Sequence, residues 1–306
     1  MRNAFADEVT KLVDQDSRVV MLSGDIGNKL FDNVKKVDER RFYNCGVAEA
    51  NMMGVAAGMA LCGLRPIVYT ITPFTTTRCF EQIRVDACYH HVPVTIVGTG
   101  SGLSYAELGP THHSLEDLAI LRTLPGMSVL APCDANELRA CMRAALKQNG
   151  PVYIRIGKKG EAVIFKDVPD LVIGKATTVR SGNDVALLCA GTLMAEALGT
   201  ADRMNANGIS TEVVSMHSVK PLDTGYLDAA ATRFKLIATI EEHGLIGGLG
   251  SAVAEWRART HAPIRQIAFG TPDEFMHEVG SQEYARRKYG LTADDMAAVV
   301  IDALRA

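Results

Sequence analysis

One acidic side chain stands at the entrance of a segment otherwise built from small and apolar residues: Gly46-Val47-Ala48-Glu49-Ala50-Asn51-Met52-Met53-Gly54-Val55-Ala56-Ala57-Gly58-Met59-Ala60. Glycine inside a helix costs about 0.5–1 kcal/mol relative to alanine, so keeping Gly54 and Gly58 points to a neighbour packed closely on this helix. Glu49 in such a surface is desolvated unless a polar group meets it. The plainer alternative is a first-turn acid that faces water and the helix dipole. His112 and His113 follow Leu108-Gly109-Pro110-Thr111. Consecutive side chains diverge, so at most one of the two faces a given ligand, and a histidine with a pKa near 6.5 moves protons at neutral pH. Phe74 and Phe80 bracket a threonine run and are placed either to stack on a heteroaromatic ring or to pack a sheet against its helix. Lys29, Arg78 and Lys158 fall at loop or element ends, where they can meet an anionic ligand or simply be solvated.

The glycine-rich stretches do not make a nucleotide site. Gly98-Thr99-Gly100-Ser101-Gly102 and Gly247-Gly248-Leu249-Gly250-Ser251 both lack the third glycine of the dinucleotide fingerprint, and neither carries the Gly-Lys-Ser/Thr of a P-loop. Gly24-Asp25-Ile26-Gly27-Asn28 is too short to cradle a diphosphate with its metal. Tight turns after strands are the better account of all three. A net charge of −3 with no long basic run excludes a nucleic-acid footprint. No apolar run reaches the roughly 20 residues of a membrane helix, and the acidic start, Met1 to Glu8, lacks the apolar core of a secretory signal. The seven cysteines form no CxxC pair and mostly sit in apolar segments, as core residues of a reducing, cytoplasmic compartment do.

These residues hang on an alternating pattern of β-rich and helical runs, the signature of an α/β fold with mainly parallel sheets. In the first half strands are predicted over 19–23, 66–71, 92–97, 127–131 and 151–156, with helices over 3–15, 49–61, 77–89, 114–124 and 136–148. Ser114 with Asp117 resembles a capping box, and Asp134 can cap the helix after it. A polar stretch over 158–170 reads as a linker, after which the alternation resumes. Strands then fall over 184–189, 211–215, 235–239 and 264–269, and helices over 194–207, 223–232, 251–259 and 293–304. Two consecutive α/β domains are expected, over 1–165 and 166–306.

Taken together, the motifs resemble the transketolase family of thiamine-diphosphate enzymes, nearly end to end. Gly46-Val47-Ala48-Glu49-Ala50-Asn51 looks like that family's pyrimidine-domain signature, and Gly109-Pro110-Thr111-His112 like its substrate-site histidine motif. Thr239-Ile240-Glu241-Glu242-His243 with Gly247-Gly248-Leu249-Gly250, and Phe269-Gly270-Thr271-Pro272-Asp273, look like parts of its C-terminal domain. The family's first domain, which holds Mg²⁺ and the diphosphate, has no counterpart here. The resemblance therefore implies the C-terminal subunit of a split transketolase, working in a heterotetramer or larger assembly with an N-terminal, diphosphate-binding partner and also self-associating.

By the same resemblance Glu49 matches the glutamate that activates the cofactor through its aminopyrimidine, and His112 matches the histidine that binds substrate and moves protons. Phe74 would seat the pyrimidine, with Phe80, Arg78 and Asp25 as further cofactor contacts. His113, Lys29 and Lys158 would be substrate contacts, Lys158 lying where relatives place an anion-binding arginine. The small-residue helix after Glu49 would form a subunit interface. The implied reaction moves a two-carbon ketol unit from a ketose to an aldehyde, with sugars or sugar phosphates as substrates. This chain departs from the pattern at Leu108, where relatives acting on ordinary sugar phosphates carry aspartate, at Gly100, where transketolases carry a histidine, and at Phe74, one residue from the aligned Thr75. The alternatives are a β-type component of a 2-oxoacid dehydrogenase, a split deoxyxylulose-phosphate-synthase-like enzyme, and a non-catalytic partner-binding subunit.

Overall fold

A computed structural model describes residues 1–305, apart from the side chain of Asn28. In the first half the strands are β1 (Val19–Ser23), β2 (Phe42–Asn44), β3 (Arg65–Ile71), β4 (Thr95–Thr99), β5 (Ser128–Leu130) and β6 (Val152–Ile156). The second half supplies β7 (Thr177–Arg180), β8 (Val185–Ala190), β9 (Thr211–Ser215), β10 (Ser218–Lys220), β11 (Leu236–Gly244) and β12 (Arg265–Thr271). One seven-stranded sheet runs β10-β5-β6-β4-β3-β1-β2, and a five-stranded sheet runs β12-β11-β8-β9-β7. Pairing is parallel throughout except at β10–β5 and β7–β9. The inner strands β1, β4, β6 and β8 are buried along their whole length, as continuous apolar runs covered on both faces by helices must be. The expected α/β class with two consecutive, mostly parallel units is thus observed.

Local chemistry explains most element ends. Asp134 accepts from Glu137 N at 2.8 Å and caps the helix Ala135–Ala145, and Asp223 does the same for Thr224–Arg233 through Tyr226 N at 3.0 Å. The helix Glu49–Leu61 stops at Gly63, which takes a left-handed φ of +91°. Two expected helices are corrected. The one over 77–89 is a 3₁₀ turn Thr77–Cys79, one α turn Phe80–Gln82 and a π-helical run Ile83–Tyr89. Its start is irregular because Thr75, Thr76 and Thr77 turn their hydroxyls back onto the carbonyls of Ile71, Thr72 and Pro73, a local competition with the helical ladder. The helix over 114–124 begins only at Asp117, because Ser114 is drawn into a two-bond antiparallel bridge with Gly102 and does not cap it. The strand over 92–97 likewise shifts to β4. Absent from the expected pattern were β2, β7, β10 and the helices Asp32–Val37, Thr72–Thr75 and Gln282–Lys288.

The two units share one seam. β10 comes from the second half yet completes the first sheet, and a single apolar cluster runs from Val20, Leu22 and Ile96 through Val214 and Val253 to Ile264. Polar groups cross it as well. Glu242 on β11 accepts from Leu103 N at 2.8 Å and from Gln282 at 2.8 Å, and it pairs with Arg286. Among the described residues no helix is long and apolar enough to cross a membrane.

Candidate active site

Open parallel sheets leave a crevice beyond the carboxyl ends of their strands. Here β1 ends into Gly24-Asp25, β3 into residues 72–78, and β4 into the loop that carries His112 and His113. The last two segments line a cleft of about 500 Å³ formed by Pro73, Phe74, Thr76, Thr77 and Arg78 on one side and Pro110, Thr111, His113, Ser114, Glu116 and Asp117 on the other. Glu49 opens its helix beside this cleft and is 2% exposed. A Cβ on Gly24 would lie 3.1 Å from Thr70 and 3.5 Å from Glu49 Cγ, so the backbone passes close to the carboxylate's stem.

The acid is not left bare. Arg78 Nη1 donates to both Glu49 oxygens at 3.0 Å, and the guanidinium carbon lies 4.0 Å from the centre of the Phe74 ring. A buried carboxylate with such a partner avoids the several kcal/mol that an unpaired buried charge costs. Neighbouring Cys79, buried and close to Glu49, has its thiol pKa pushed up to about 12, first by burial and then by that negative charge.

The two histidines divide as their adjacency requires. The ring of His112 meets the edge of Phe74 at 5.4 Å and of Tyr105 at 6.0 Å, with Nδ1 3.0 Å from the Thr111 hydroxyl. His113 is buried and lines the cleft, with its Nε2 enclosed and without a hydrogen-bond partner. Burial lowers the pKa of His113 from its ordinary value, against an opposing hydrogen bond to the Ala106 backbone. Behind this loop Arg155 Nη2 donates to the carbonyls of Ser114 and Glu242 at 3.1 and 3.2 Å. Its Nε lies 3.1 Å from Asp117 Oδ2, near enough for charge attraction but not aligned as a hydrogen bond, and Tyr153 donates to the same oxygen at 2.6 Å.

The structure thus gathers Glu49, Phe74, Arg78, His112 and His113, and places the other expected site residues apart from them. Phe80 packs on the apolar core and does not line the cleft. Asp25 is exposed at a φ of +56° and accepts from Asn44 at 3.0 Å, while Asn44 in turn accepts from Gly46 N. Lys158 pairs with Glu107 and lies 4.4 Å over the Tyr105 ring, and Lys29 is exposed. Sequence reasoning gave Arg155, Asp117 and Glu242 no part in the site. A charged residue inside the apolar run of β6 was the available signal, because a buried arginine demands acidic or carbonyl partners. The glycine turn before the helix Leu249–Thr260 is already occupied, since Glu241 accepts from the amides of Leu249 and Gly250 at 2.7 Å. Among the described residues no group of three or more His, Cys, Asp or Glu side chains is gathered for a metal ion.

Residues 1–160 match the family model for the transketolase pyrimidine binding domain, and residues 174–296 match that for the transketolase C-terminal domain. The chain is 36% identical over 300 residues to the 6-deoxy-6-sulfo-D-fructose transketolase subunit of Clostridium sp. (strain MSTE9), covering 97% of this chain and 92% of that one. It is 34% identical over 303 residues to a subunit of the apulose-4-phosphate transketolase of Phocaeicola vulgatus, covering 98% and 96%. A solved structure described as a split gene transketolase, inactive beta4 tetramer, superposes with a TM-score of 0.90 at 37% identity, covering 99% of this chain and 97% of that one. With both domains matched in order and relatives aligned along nearly their full length, the chain belongs to the thiamine-diphosphate-dependent transketolase family and corresponds to the C-terminal subunit of a split transketolase.

Proposed function

We propose that this chain forms the pyrimidine-binding half of a centre that transfers a two-carbon ketol unit from a ketose to an aldehyde. A diphosphate-binding subunit would hold the Mg²⁺ and the diphosphate, a division of labour that the subunit names of the relatives support. The residues present fit the other end of thiamine diphosphate: a buried carboxylate beside a close-passing backbone at Gly24, and an aromatic face at Phe74 that already carries a planar cation. When bound, the cofactor supplies a carbon nucleophile and the electron sink that carbon–carbon cleavage needs.

This chain's own groups do the rest. Glu49, itself buried, would hold or share a proton with the pyrimidine nitrogen, and the low dielectric around the acid strengthens such a hydrogen bond. Phe74 seats the ring. His112, whose ring is fixed edge-on to Phe74 and Tyr105, hydrogen-bonds substrate hydroxyls and passes protons. His113, with its unpartnered Nε2 on the same cleft, is a second acceptor for a substrate hydroxyl. Lys158, over the Tyr105 ring that meets His112, is assigned to an anionic substrate end. Asp25 and Lys29, on the loop after β1, are assigned to contacts with the partner-held part of the cofactor or with substrate, and Phe80 to the apolar backing of the site. The names of both relatives carry a sulfo or phosphate group, which supports a sugar or sugar-phosphate substrate class.

The helix Glu49–Leu61 exposes Asn51, Val55, Gly58 and Leu61 on one side, and a Cβ at Gly58 would meet nothing. That open face, with Val55 and Leu61 exposed, supports a subunit interface there, and the relative's homotetramer supports self-association within a heterotetrameric or larger enzyme. The domain boundary is assigned near residue 165, in the irregular stretch between β6 and β7. Seven unpaired cysteines support a reducing, cytoplasmic setting.

The single observation that carries this reading is the buried Glu49 carboxylate beside the cleft. The test mixes the chain with a diphosphate-binding transketolase subunit, thiamine diphosphate and Mg²⁺, and measures two-carbon transfer from a ketose to a panel of aldehydes. Transfer is expected with both chains, none with this chain alone, and at least a hundredfold loss for Glu49→Gln. An unchanged rate in the Glu49 variant would refute it, and turnover of a 2-oxoacid in place of a ketose would redirect it.

A further inference from the structure

Arg78 sits in an unusual place for a residue on a ligand-binding segment: its guanidinium lies between the acid and the aromatic ring of the site. Glu49 is 2% exposed, whereas the Arg78 side chain is 44% exposed, so one partner is fixed and the other has room to leave. One terminal nitrogen donates to both carboxylate oxygens at 3.0 Å, while the guanidinium plane rests 4.0 Å from the Phe74 centroid. A guanidinium is planar, delocalised, weakly hydrated and rich in donors, and it stacks readily on aromatic faces. An aminopyrimidine is likewise planar and delocalised, stacks on an aromatic face, and meets a carboxyl group through a proton shared with its ring nitrogen. The thiol of neighbouring Cys79 is turned to the carbonyls of Thr75 and Phe74.

We infer that Arg78 is a removable latch on Glu49: it satisfies the buried acid while the site is empty, and an entering aminopyrimidine must displace it. The inference rests on the proposed role of Glu49 and reverses the expectation that Arg78 is a cofactor contact. A latch solves a definite physical problem. A subunit that waits for its partner with an unpaired buried carboxylate carries a destabilised site. A carboxylate paired to a half-exposed arginine is stable yet can be exchanged, at the cost of some cofactor affinity. Arg78 is therefore a positioning residue that acts through Glu49.

The test is calorimetric titration of thiamine diphosphate, with Mg²⁺ present, into the complex of this chain with its diphosphate-binding subunit. Arg78→Met is expected to bind the cofactor at least fivefold more tightly than the unaltered complex. In a Glu49→Gln background, where the latch has lost its charged partner, the same change is expected to shift affinity by less than twofold. Arg78→Gln, which keeps the shape and a donor, should also tighten binding and guards against a Met variant that does not fold. Arg78→Lys should retain most of the competition. Weaker or unchanged binding in both Arg78→Met and Arg78→Gln overturns the latch while leaving the role of Glu49 intact. If the unaltered complex fails to bind thiamine diphosphate at all, the proposed function and the latch fall together.

Discussion

Arg155→Met tests whether the seam between the two units is what holds the histidine loop. Arg155 is 3% exposed and donates to the carbonyls of Ser114 and Glu242, so it ties β6 to the loop after His113 and to β11 of the second unit. Methionine keeps the length and the packing and removes only the donors and the charge. Two consequences follow. The Asp117 carboxylate, 1% exposed, loses its only nearby cation among the described residues and keeps one hydrogen bond, from Tyr153. Removing one member of a buried pair costs about 3–5 kcal/mol, most of it the penalty on the charge left behind. The Arg155–Asp117 contact is not aligned as a hydrogen bond, which places the loss near the lower figure, about 3 kcal/mol. At roughly 2–4 °C per kcal/mol for chains of this order of size, the melting temperature falls by about 6–12 °C. Urea titration and calorimetry measure it. If the stranded charge is the cause, Arg155→Met with Asp117→Asn is more stable than Arg155→Met alone by about 1–2 kcal/mol, a coupling that independent losses would not give. A fall below about 1 kcal/mol for Arg155→Met, or additive losses in the double variant, would refute this account of the seam.

Gly102→Ala forces a side chain onto a backbone at φ +63° and within 2.5–2.7 Å of the Glu242 carboxylate and carbonyl, so we expect about 2–4 kcal/mol of destabilisation, read by thermal melting; a change under about 0.5 kcal/mol would mean that the loop does not dock on β11 as described. For His113 the sign of the pH effect is fixed by the direction of its shift. Its folded-state pKa is below the unfolded value of about 6.5, so the unfolded chain binds the proton more readily, and stability falls as the pH drops below about 6.5 until the lowered folded value is passed. His113→Asn removes this group's contribution, and urea midpoints measured from pH 7.5 to 5 should be flatter in the variant by that amount; equal slopes would refute the assignment. Lys158→Met removes the pair with Glu107 and the cation from the Tyr105 ring, costing at most about 1 kcal/mol of stability. Its expected effect is a raised KM for phosphorylated over unphosphorylated aldehydes, and an equal change for both would remove Lys158 from substrate binding.

Much of both sheets was legible because the signals are local. β1 and β9 and the helix Glu49–Leu61 lie where the residue pattern puts them: short β-branched or apolar runs stopped by polar punctuation, and a long small-residue stretch ended by Gly63. β10 was not legible. Ser218–Lys220 has no periodicity of its own and becomes a strand only because β5 of the other unit presents an edge to it. Ser114 failed in the opposite way. Its spacing to Asp117 is that of a cap, but the open backbone of Gly102, at a φ that other residues avoid, offered Ser114 two hydrogen bonds and took it out of the helix.

The same distinction governs the site. Glu49 and the histidines announce themselves because each is chemically out of place in its own segment. Arg78 looked like one of several basic residues at loop ends, and nothing within residues 74–80 says that its partner lies 29 positions upstream. What selects it is the desolvation of Glu49: a helix of Gly, Ala and Met offers that acid no local donor, so the donor must come from whichever segment leaves the neighbouring strand. β3 lies beside β1 in the sheet, and the irregular turn after β3 is the segment so placed. The threonine hydroxyls that spoil the regular helix at 75–77 also set where Arg78 emerges, within 4.0 Å of the Phe74 ring and within reach of the acid. The break in secondary structure and the ion pair are therefore one feature: a turn that ran on as an ordinary helix from Thr77 would carry Arg78 along a different face and leave Glu49 buried without its partner.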